Sequence, residues 1–198
     1  NAAQLTDWIQ EVHGPTELIF SDFRPVPLIF NFCSAKGLHP LLNEERTGLH
    51  PNCKVWRPPK GQKRKGRSSK PLQPESPSIN FVIRKMDERE MLPAIYFIFS
   101  RRGCDKAVKD LALSSLTLVS SQETKRIESR LIEYCRKNPE GVRKGIHFDA
   151  LKRGIASHHA GVLPAWKELI EELFQQGLVK VVFATETLAA GINMPARS

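Results

Sequence analysis

The sequence predicts an α/β fold: an open, mostly parallel sheet with helices on both faces. Three observations predict it. The segments "LPAIYFIFS" and "LVKVVFA" are nearly unbroken apolar runs, as expected of parallel strands covered on both sides. Amphipathic stretches of helical spacing lie between them, and strand and helix alternate from about residue 80 onward. The chain has 198 residues, 40% of them hydrophobic, enough to bury a core.

The first 30 residues open with "AAQLTDWIQEVHG", where Leu5, Trp8, Ile9 and Val12 share one helical face and Gly14 with Pro15 stops the helix. "TELIF" then reads as a short strand. "RPVPLIFNFCS" and "GLHPLLNEERTGLHPNCKVW" read as short strands joined by turns in a hairpin-like excursion. Residues 31–91 are expected to be a variable insertion, of which 57–79 form a mobile basic loop that is rich in Pro and Ser. From 92 to 198 the pattern is more regular. After the first buried strand comes a helix, "RRGCDKAVKDLAL", then a second from about Gln122 to Asn138, with Ile127, Leu131, Ile132 and Cys135 on its inner stripe. "GIASHH" is a short strand. Pro164 opens a helix that turns Trp166, Leu169, Ile170, Leu173 and Phe174 inward and stops at Gly177. The second buried strand follows it.

Net charge is +9, and its distribution matters more than its size. "RPPKGQKRKGRSSK", residues 57–70, carries seven basic residues and no acidic one, which leaves the remainder of the chain at only +2. Lys63, Arg64, Lys65 and Arg67 lie at its centre. A segment with so little apolar surface does not offset the entropy of ordering its backbone. It fits a solubilising insertion, an auxiliary phosphate-binding arm or a targeting signal. No run approaches 18 apolar residues, so no membrane span is expected, and the opening residues do not form a secretory or transit peptide. Cys33, Cys53, Cys104 and Cys135 form no CxxC pair, which fits free thiols in a reducing compartment. A zinc site at His50 and Cys53 would need the distant Cys33 and His39 to converge on them. No metal site is expected.

In an open parallel sheet, binding residues gather beyond the carboxyl ends of the strands. Three stretches break pattern at such positions: "SRRGCD", "HHAG" and "ATETLAAG". In the first, Ser100, Arg101 and Arg102 offer a hydroxyl and two guanidinium groups suited to a phosphate, or equally a serine cap followed by two solvated arginines. His158 and His159 point to opposite faces of a strand, so they do not join in one metal site. One ring can pack while the other meets a phosphate, and Gly161 lets a backbone come close; a buried, hydrogen-bonded histidine beside an exposed one is the alternative. Thr185 and Thr187 supply short hydroxyls at a strand end, Ala189 and Ala190 keep the surface low, Gly191 admits a close approach, and Asn193 adds a donor and an acceptor. Such neutral groups position a phosphate backbone without reading bases. A packing loop with a threonine cap also fits them. No GxSxG elbow is present, and nothing in these stretches marks a nucleophile.

"FATETLAAGINMPAR" resembles motif V of the DExH-box RNA helicases of the superkiller and exosome-associated type, and "IYFIFSRRGCD" resembles their motif IV. "GIASHHAGVLPAWKELIEELFQQGLVKVVFATET" is similar to the block between those motifs in the second RecA-like domain. "NAAQLTDWI" and "RPVPL" are similar to the segment after motif III. The "LPAW" helix, "FSRRGCD" and the basic insertion most resemble the plastid and cyanobacterial branch. The resemblance covers most of residues 1–30 and 92–198 and is loose over 31–91.

It implies an incomplete second RecA-like domain over 92–198, preceded by the end of the first and an interdomain connection over 1–30. It also implies an ATP-driven motor that moves along or unwinds RNA. Thr185 and Thr187 would contact RNA phosphates. Ser100, Arg101 and Arg102 would shape the strand-binding edge, with His158, His159 and Gly161 holding the track. Gly191 and Asn193 would serve the interdomain and nucleotide side. The family uses ATP and Mg2+, yet no GxxxxGK[ST] loop, DExH tetrapeptide or QxxGRxGR element is present. An internal piece of a helicase that does not hydrolyse ATP alone is therefore expected; a non-catalytic RNA-binding or assembly domain derived from a helicase is the alternative. RNA is the expected partner, with RNA-processing or ribosome-assembly factors beside it, and a monomer is expected. The branch resemblance implies a chloroplast location, and the basic tract leaves nucleus or cytoplasm as the alternative.

Overall fold

The computed structural model describes residues 2–21, 23, 27–53, 76–139, 145–189 and 194–198, with Thr187 and Ala189 represented by backbone alone. Its centre is a parallel sheet of β3 (Ala94–Phe97), β4 (Ile155–His158) and β5 (Val181–Ala184), in the order β3-β5-β4. The expected α/β architecture is what the chain adopts, consistent with an incomplete RecA-like domain.

Alternation along the central strand divides the core in two. Val181 and Phe183 face one side, where they meet Cys104, Ala107, Val108 and Leu111 of α3 (Arg101–Ala112) and Ala150 of α5 (Ile146–Leu151). Val182 and Ala184 face the other, against Ile127, Leu131 and Tyr134 of α4 (Ser121–Lys137) and the apolar stripe of α6 (Pro164–Gln175). All five residues predicted to line α6 are buried. The helix starts at Pro164 and ends before Gly177, whose φ of +68° is open to glycine at little cost. The stripe of α4 differs from the expectation at one position. Ile132 is 71% exposed, because the buried series runs 127, 131, 134 and places residue 132 a quarter-turn away, with Tyr134 inside instead.

Two elements were not foreseen. α2 (Ile79–Asp87), capped by Ser78 accepting from the Phe81 N–H at 3.2 Å, begins at the last residue of the stretch expected to be mobile and sends Ile83 into the core, fully buried. α5 is the other, a six-residue helix whose Ala150 and Leu151 are buried. "TELIF" forms no strand: Leu18, Ile19 and Phe20 are exposed and lack a pairing neighbour among the described residues. The hairpin does form. β1 (Asn31–Ser34) pairs antiparallel with β2 (Gly37–Pro40) across a two-residue turn, with Gly37 at φ +125°. Beside it Cys53 donates its thiol to the Pro40 carbonyl at 3.3 Å, and the rings of His39 and His50 stack at 5.8 Å. α1 (Ala2–His13) has the predicted boundaries, but its Leu5, Trp8 and Val12 are exposed, with no buried residue on the helix.

The start of α4 ties to the sheet through a capping box. Ser120 accepts from the Glu123 N–H, and the Glu123 carboxylate accepts from the Ser120 N–H at 2.8 Å while its other oxygen meets Lys180 Nζ at 2.7 Å. The Lys180 hydrogen bond, followed by that from the Ser120 backbone, holds the Glu123 carboxyl at about 2, below the usual 4.5. The folded form is thus the weaker proton binder. The resulting stability is fully present above about pH 4.5 and is lost as pH falls towards 2. Glu123→Gln should flatten this part of a plot of denaturation midpoint against pH; an unchanged acid limb would show that the pair does not contribute.

Candidate nucleic-acid interface

Because the three strands are parallel, their carboxyl ends lie along one edge of the sheet. Phe97 and His158 both pair with Ala184, so these three form one row across the sheet. The residues after that row, Ile98, His159 and Thr185, begin the rim. The structure therefore brings the three pattern-breaking stretches together.

On the β3 side, Ser100 is the N-cap of α3: its hydroxyl accepts from the Gly103 N–H at 3.2 Å. Arg101 and Arg102 occupy the exposed first turn, and neither pairs with a carboxylate among the described residues. Two exposed guanidinium groups of this kind can take phosphate oxygens. Cys104, one turn further, is buried, and burial together with the Asp105 carboxylate pushes its thiol up. It is a packing residue, not a nucleophile.

On the β4 side both histidines are buried, 5% and 4% exposed. They do point to opposite faces. His158 Nε2 lies 2.7 Å from Glu171 Oε1 on α6, whereas His159 Nε2 lies 3.0 Å from Asp105 Oδ1 on α3. The His159 tautomer follows from its second contact. The Gly161 N–H donates to Nδ1 at 3.1 Å, so Nδ1 carries no proton and Nε2–H is the donor to Asp105. Gly161 itself is exposed, yet a Cβ there would sit 3.2 Å from His159 Nδ1 and 3.7 Å from Arg101 Cδ, so the histidine turn and the start of α3 are near neighbours.

Asp105 gathers a further donor, Ser157 Oγ at 3.2 Å, with His147 Nε2 at 3.9 Å. Serine, histidine and aspartate meet here without forming a catalytic triad. Ser157 and His159 both donate to the same carboxylate oxygen, so the imidazole does not accept the serine proton and the hydroxyl is not activated. A groove of about 710 Å³ borders this cluster, with Phe148 and Trp166 among its walls. Their rings stack at 5.0 Å. Asp105 and Glu171 had no assigned role in the sequence analysis. Their carboxylates are 54 and 13 residues from the histidines they hold, and only the fold reveals the pairing.

On the β5 side, Thr185 is 6% exposed and hydrogen-bonded, and its carbonyl accepts from the Leu188 N–H at 3.1 Å to start the 3-10 turn Glu186–Ala189. The Thr187 side chain, Gly191, Asn193, and Lys63, Arg64, Lys65 and Arg67 of the basic tract lie outside the described residues. Taken together, the rim presents cations and hydrogen-bonded braces, a chemistry of binding and positioning.

The whole of this sequence aligns with part of several proteins named as helicases. It is 40% identical to the DExH-box ATP-dependent RNA helicase DExH15, chloroplastic, of Arabidopsis thaliana over 236 aligned residues, covering 100% of this chain and 20% of that protein. Against the probable helicase HelY of Mycobacterium tuberculosis it is 40% identical, covering 100% of this chain and 24% of the relative. Against the human exosome RNA helicase MTR4 it is 36% identical, covering 100% and 20%. Along its whole length, the chain is similar to a part of proteins named as helicases, two of these three as RNA helicases. It spans about a fifth to a quarter of the length of these curated relatives. No family model matches it. Among the described residues, no helix is long and apolar enough to cross a membrane.

Proposed function

We propose that the protein containing this chain is an ATP-dependent RNA helicase that couples ATP hydrolysis to RNA translocation or unwinding, with this chain supplying contacts to the RNA backbone and between domains. The observation that carries the reading is the alignment of the entire chain with DExH-type helicases, several of them RNA helicases by name. Arg101 and Arg102, exposed at the carboxyl rim of a parallel sheet, support it chemically. Residues 92–198 act in this reading as part of the second RecA-like domain and 1–30 as the end of the first with its connection; the chain runs from after motif III through motif V.

His158 and His159 hold the track through their braces. Their burial makes them positioning residues for the turn that carries Gly161. Thr185 and Thr187 supply phosphate contacts, Gly191 and Asn193 the nucleotide side, and the basic tract adds sequence-independent contacts. ATP and Mg2+ do not fit this chain by itself: the sequence has no phosphate loop, and among the described residues no three His, Cys, Asp or Glu side chains converge to hold a metal. The nucleotide site therefore draws on residues elsewhere in the whole protein. The plastid branch and a chloroplast location, supported by the similarity to a chloroplastic helicase, belong to the proposal, as do a monomeric state and association with RNA-processing or ribosome-assembly factors.

Salt dependence tests the rim. On single strands each neutralised phosphate contributes about 0.7 to the slope of log affinity against log salt. The double substitution Arg101→Ala and Arg102→Ala should therefore make the slope for single-stranded RNA shallower by about 1.4. An unchanged slope with unchanged affinity would remove these arginines from the RNA path.

A further inference from the structure

Between β3 and α3 the chain passes through Ile98, Phe99 and Ser100, and the middle residue is treated differently from its neighbours. Ile98 packs into the core. Its N–H donates to the Ala184 carbonyl at 2.8 Å, and its own carbonyl accepts from the Ser100 N–H at 2.7 Å and the Cys104 thiol at 3.6 Å. The first turn of α3 lies directly on it: a Cβ on Gly103 would stand only 2.7 Å from Ile98 Cγ2. Ser100 is likewise anchored, as the N-cap. Phe99 lies between these two fixed residues and is 85% exposed. Two residues before it, at the end of β3, Phe97 is itself 46% exposed, and Arg101 and Arg102 follow Phe99 in the chain.

A phenyl ring exposed to this degree gains nothing from the core. Its backbone, however, is held from both sides, so little further ordering is needed when something flat lies against it. Aromatic rings beside cations are the recurring means of holding single strands: the cations track phosphates, and the ring stacks on a base of any sequence. The immediate neighbours of Phe99 are a serine and two arginines, which favours a polyanion with exposed rings over an apolar protein surface.

We propose that Phe99 is a stacking platform for a base of single-stranded RNA, the sequence-tolerant counterpart of the phosphate contacts made by Arg101 and Arg102. This rests on the RNA reading of the rim. It assigns the residue a separable share of the affinity, because stacking moves no counterions whereas phosphate contacts do.

The test measures affinity of the full-length protein for a single-stranded RNA containing 2-aminopurine, at several salt concentrations, with wild type, Phe99→Ala, Phe99→Leu and Phe99→Tyr. Phe99→Ala should weaken binding by about 5- to 150-fold with an unchanged salt slope. It should also remove quenching of the 2-aminopurine. Phe99→Tyr should restore both, and Phe99→Leu, apolar without a stacking ring, should not. Wild-type affinity and quenching in Phe99→Ala would overturn the proposal while leaving the RNA reading intact. So would rescue by Phe99→Leu, or a lowered melting temperature in Phe99→Ala without RNA, either of which would mean that the ring packs against another part of the protein or a protein partner. Absence of RNA binding by the wild type would overturn the RNA reading and the platform with it.

Discussion

Phe183→Ala is expected to destabilise the fold by about 3–5 kcal/mol, the range for deleting a buried phenyl ring with its surroundings only partly collapsing. Phe183 is fully buried in the central strand. Its ring lies 5.5 Å from that of Tyr96 on β3 and shares a cluster with Val108 and Leu111 of α3 and Ala150 of α5. Domains of ordinary size are stable by only about 5–15 kcal/mol, so a loss of this size threatens folding outright. The change should appear as a lower urea midpoint with little change in slope, accompanied by loss of RNA affinity, since Ala184 and Thr185 follow directly on the same strand. A midpoint equal to that of wild type would contradict the assignment of this core.

Gly154→Ala is expected to cost about 2–4 kcal/mol, although it adds a single methyl group to a small residue. Two penalties combine there. Gly154 has φ +81°, and a Cβ on it would lie 2.8 Å from Val119 Cγ1 and 3.3 Å from the Leu178 carbonyl oxygen. Val119 is short and branched, and the carbonyl is fixed backbone, so neither yields easily. The Gly154 carbonyl also accepts from Lys180 at 2.7 Å and Val181 at 3.1 Å, which sets the register between the starts of β4 and β5. A shift here moves the strand that carries His158 and leads into His159. Gly177→Ala serves as the control: it too has a positive φ, of +68°, but an added Cβ meets nothing within 4 Å. It should cost only the backbone term, about 1–2 kcal/mol. Equal melting temperatures for the two variants would show that packing around Gly154 is looser than the structure indicates.

The parts of the fold that were legible in sequence are those in which several local signals agree. For α6 these were Pro164, five apolar residues at helical spacing, and Gly177; β5 follows at once as an unbroken apolar run. α2 lacked such agreement: Ile79, Phe81, Val82 and Ile83 are nearly contiguous, and the helix forms because Ser78 caps it and the core accepts Ile83. "TELIF" shows the converse. Its residues favour β structure, but a strand requires a pairing partner, and these residues pair with none of the described strands. The position of the rim could be read from strand ends alone, since it depends only on the sheet being parallel. The braces that shape it could not. Asp105 lies on a helix and Glu171 on another, and no spacing rule connects either to a histidine more than ten residues away on a strand. Phe99 was hidden for a different reason: within "IYFIFS" it looks like one more core residue, and only the clamp of Gly103 on Ile98 shows that the chain turns it outward.

The fold and the proposed function meet in the turn after β4. His159, oriented by the Gly161 N–H and held by Asp105, sets the turn after β4, and a Cβ on Gly161 would come within 3.7 Å of the Arg101 side chain. Coupling between nucleotide state and grip on RNA requires a surface whose parts move together, and this arrangement links two strand ends through one packed turn. The measurement that bears most directly on the central claim is steady-state ATP hydrolysis by the full-length protein, titrated with single-stranded RNA. The account predicts that RNA stimulates turnover, and that the Arg101→Ala and Arg102→Ala variant needs more RNA for half-stimulation while its unstimulated rate is unchanged. RNA binding with no ATP turnover at any RNA concentration would contradict it, and would leave a helicase-derived RNA-binding domain in its place.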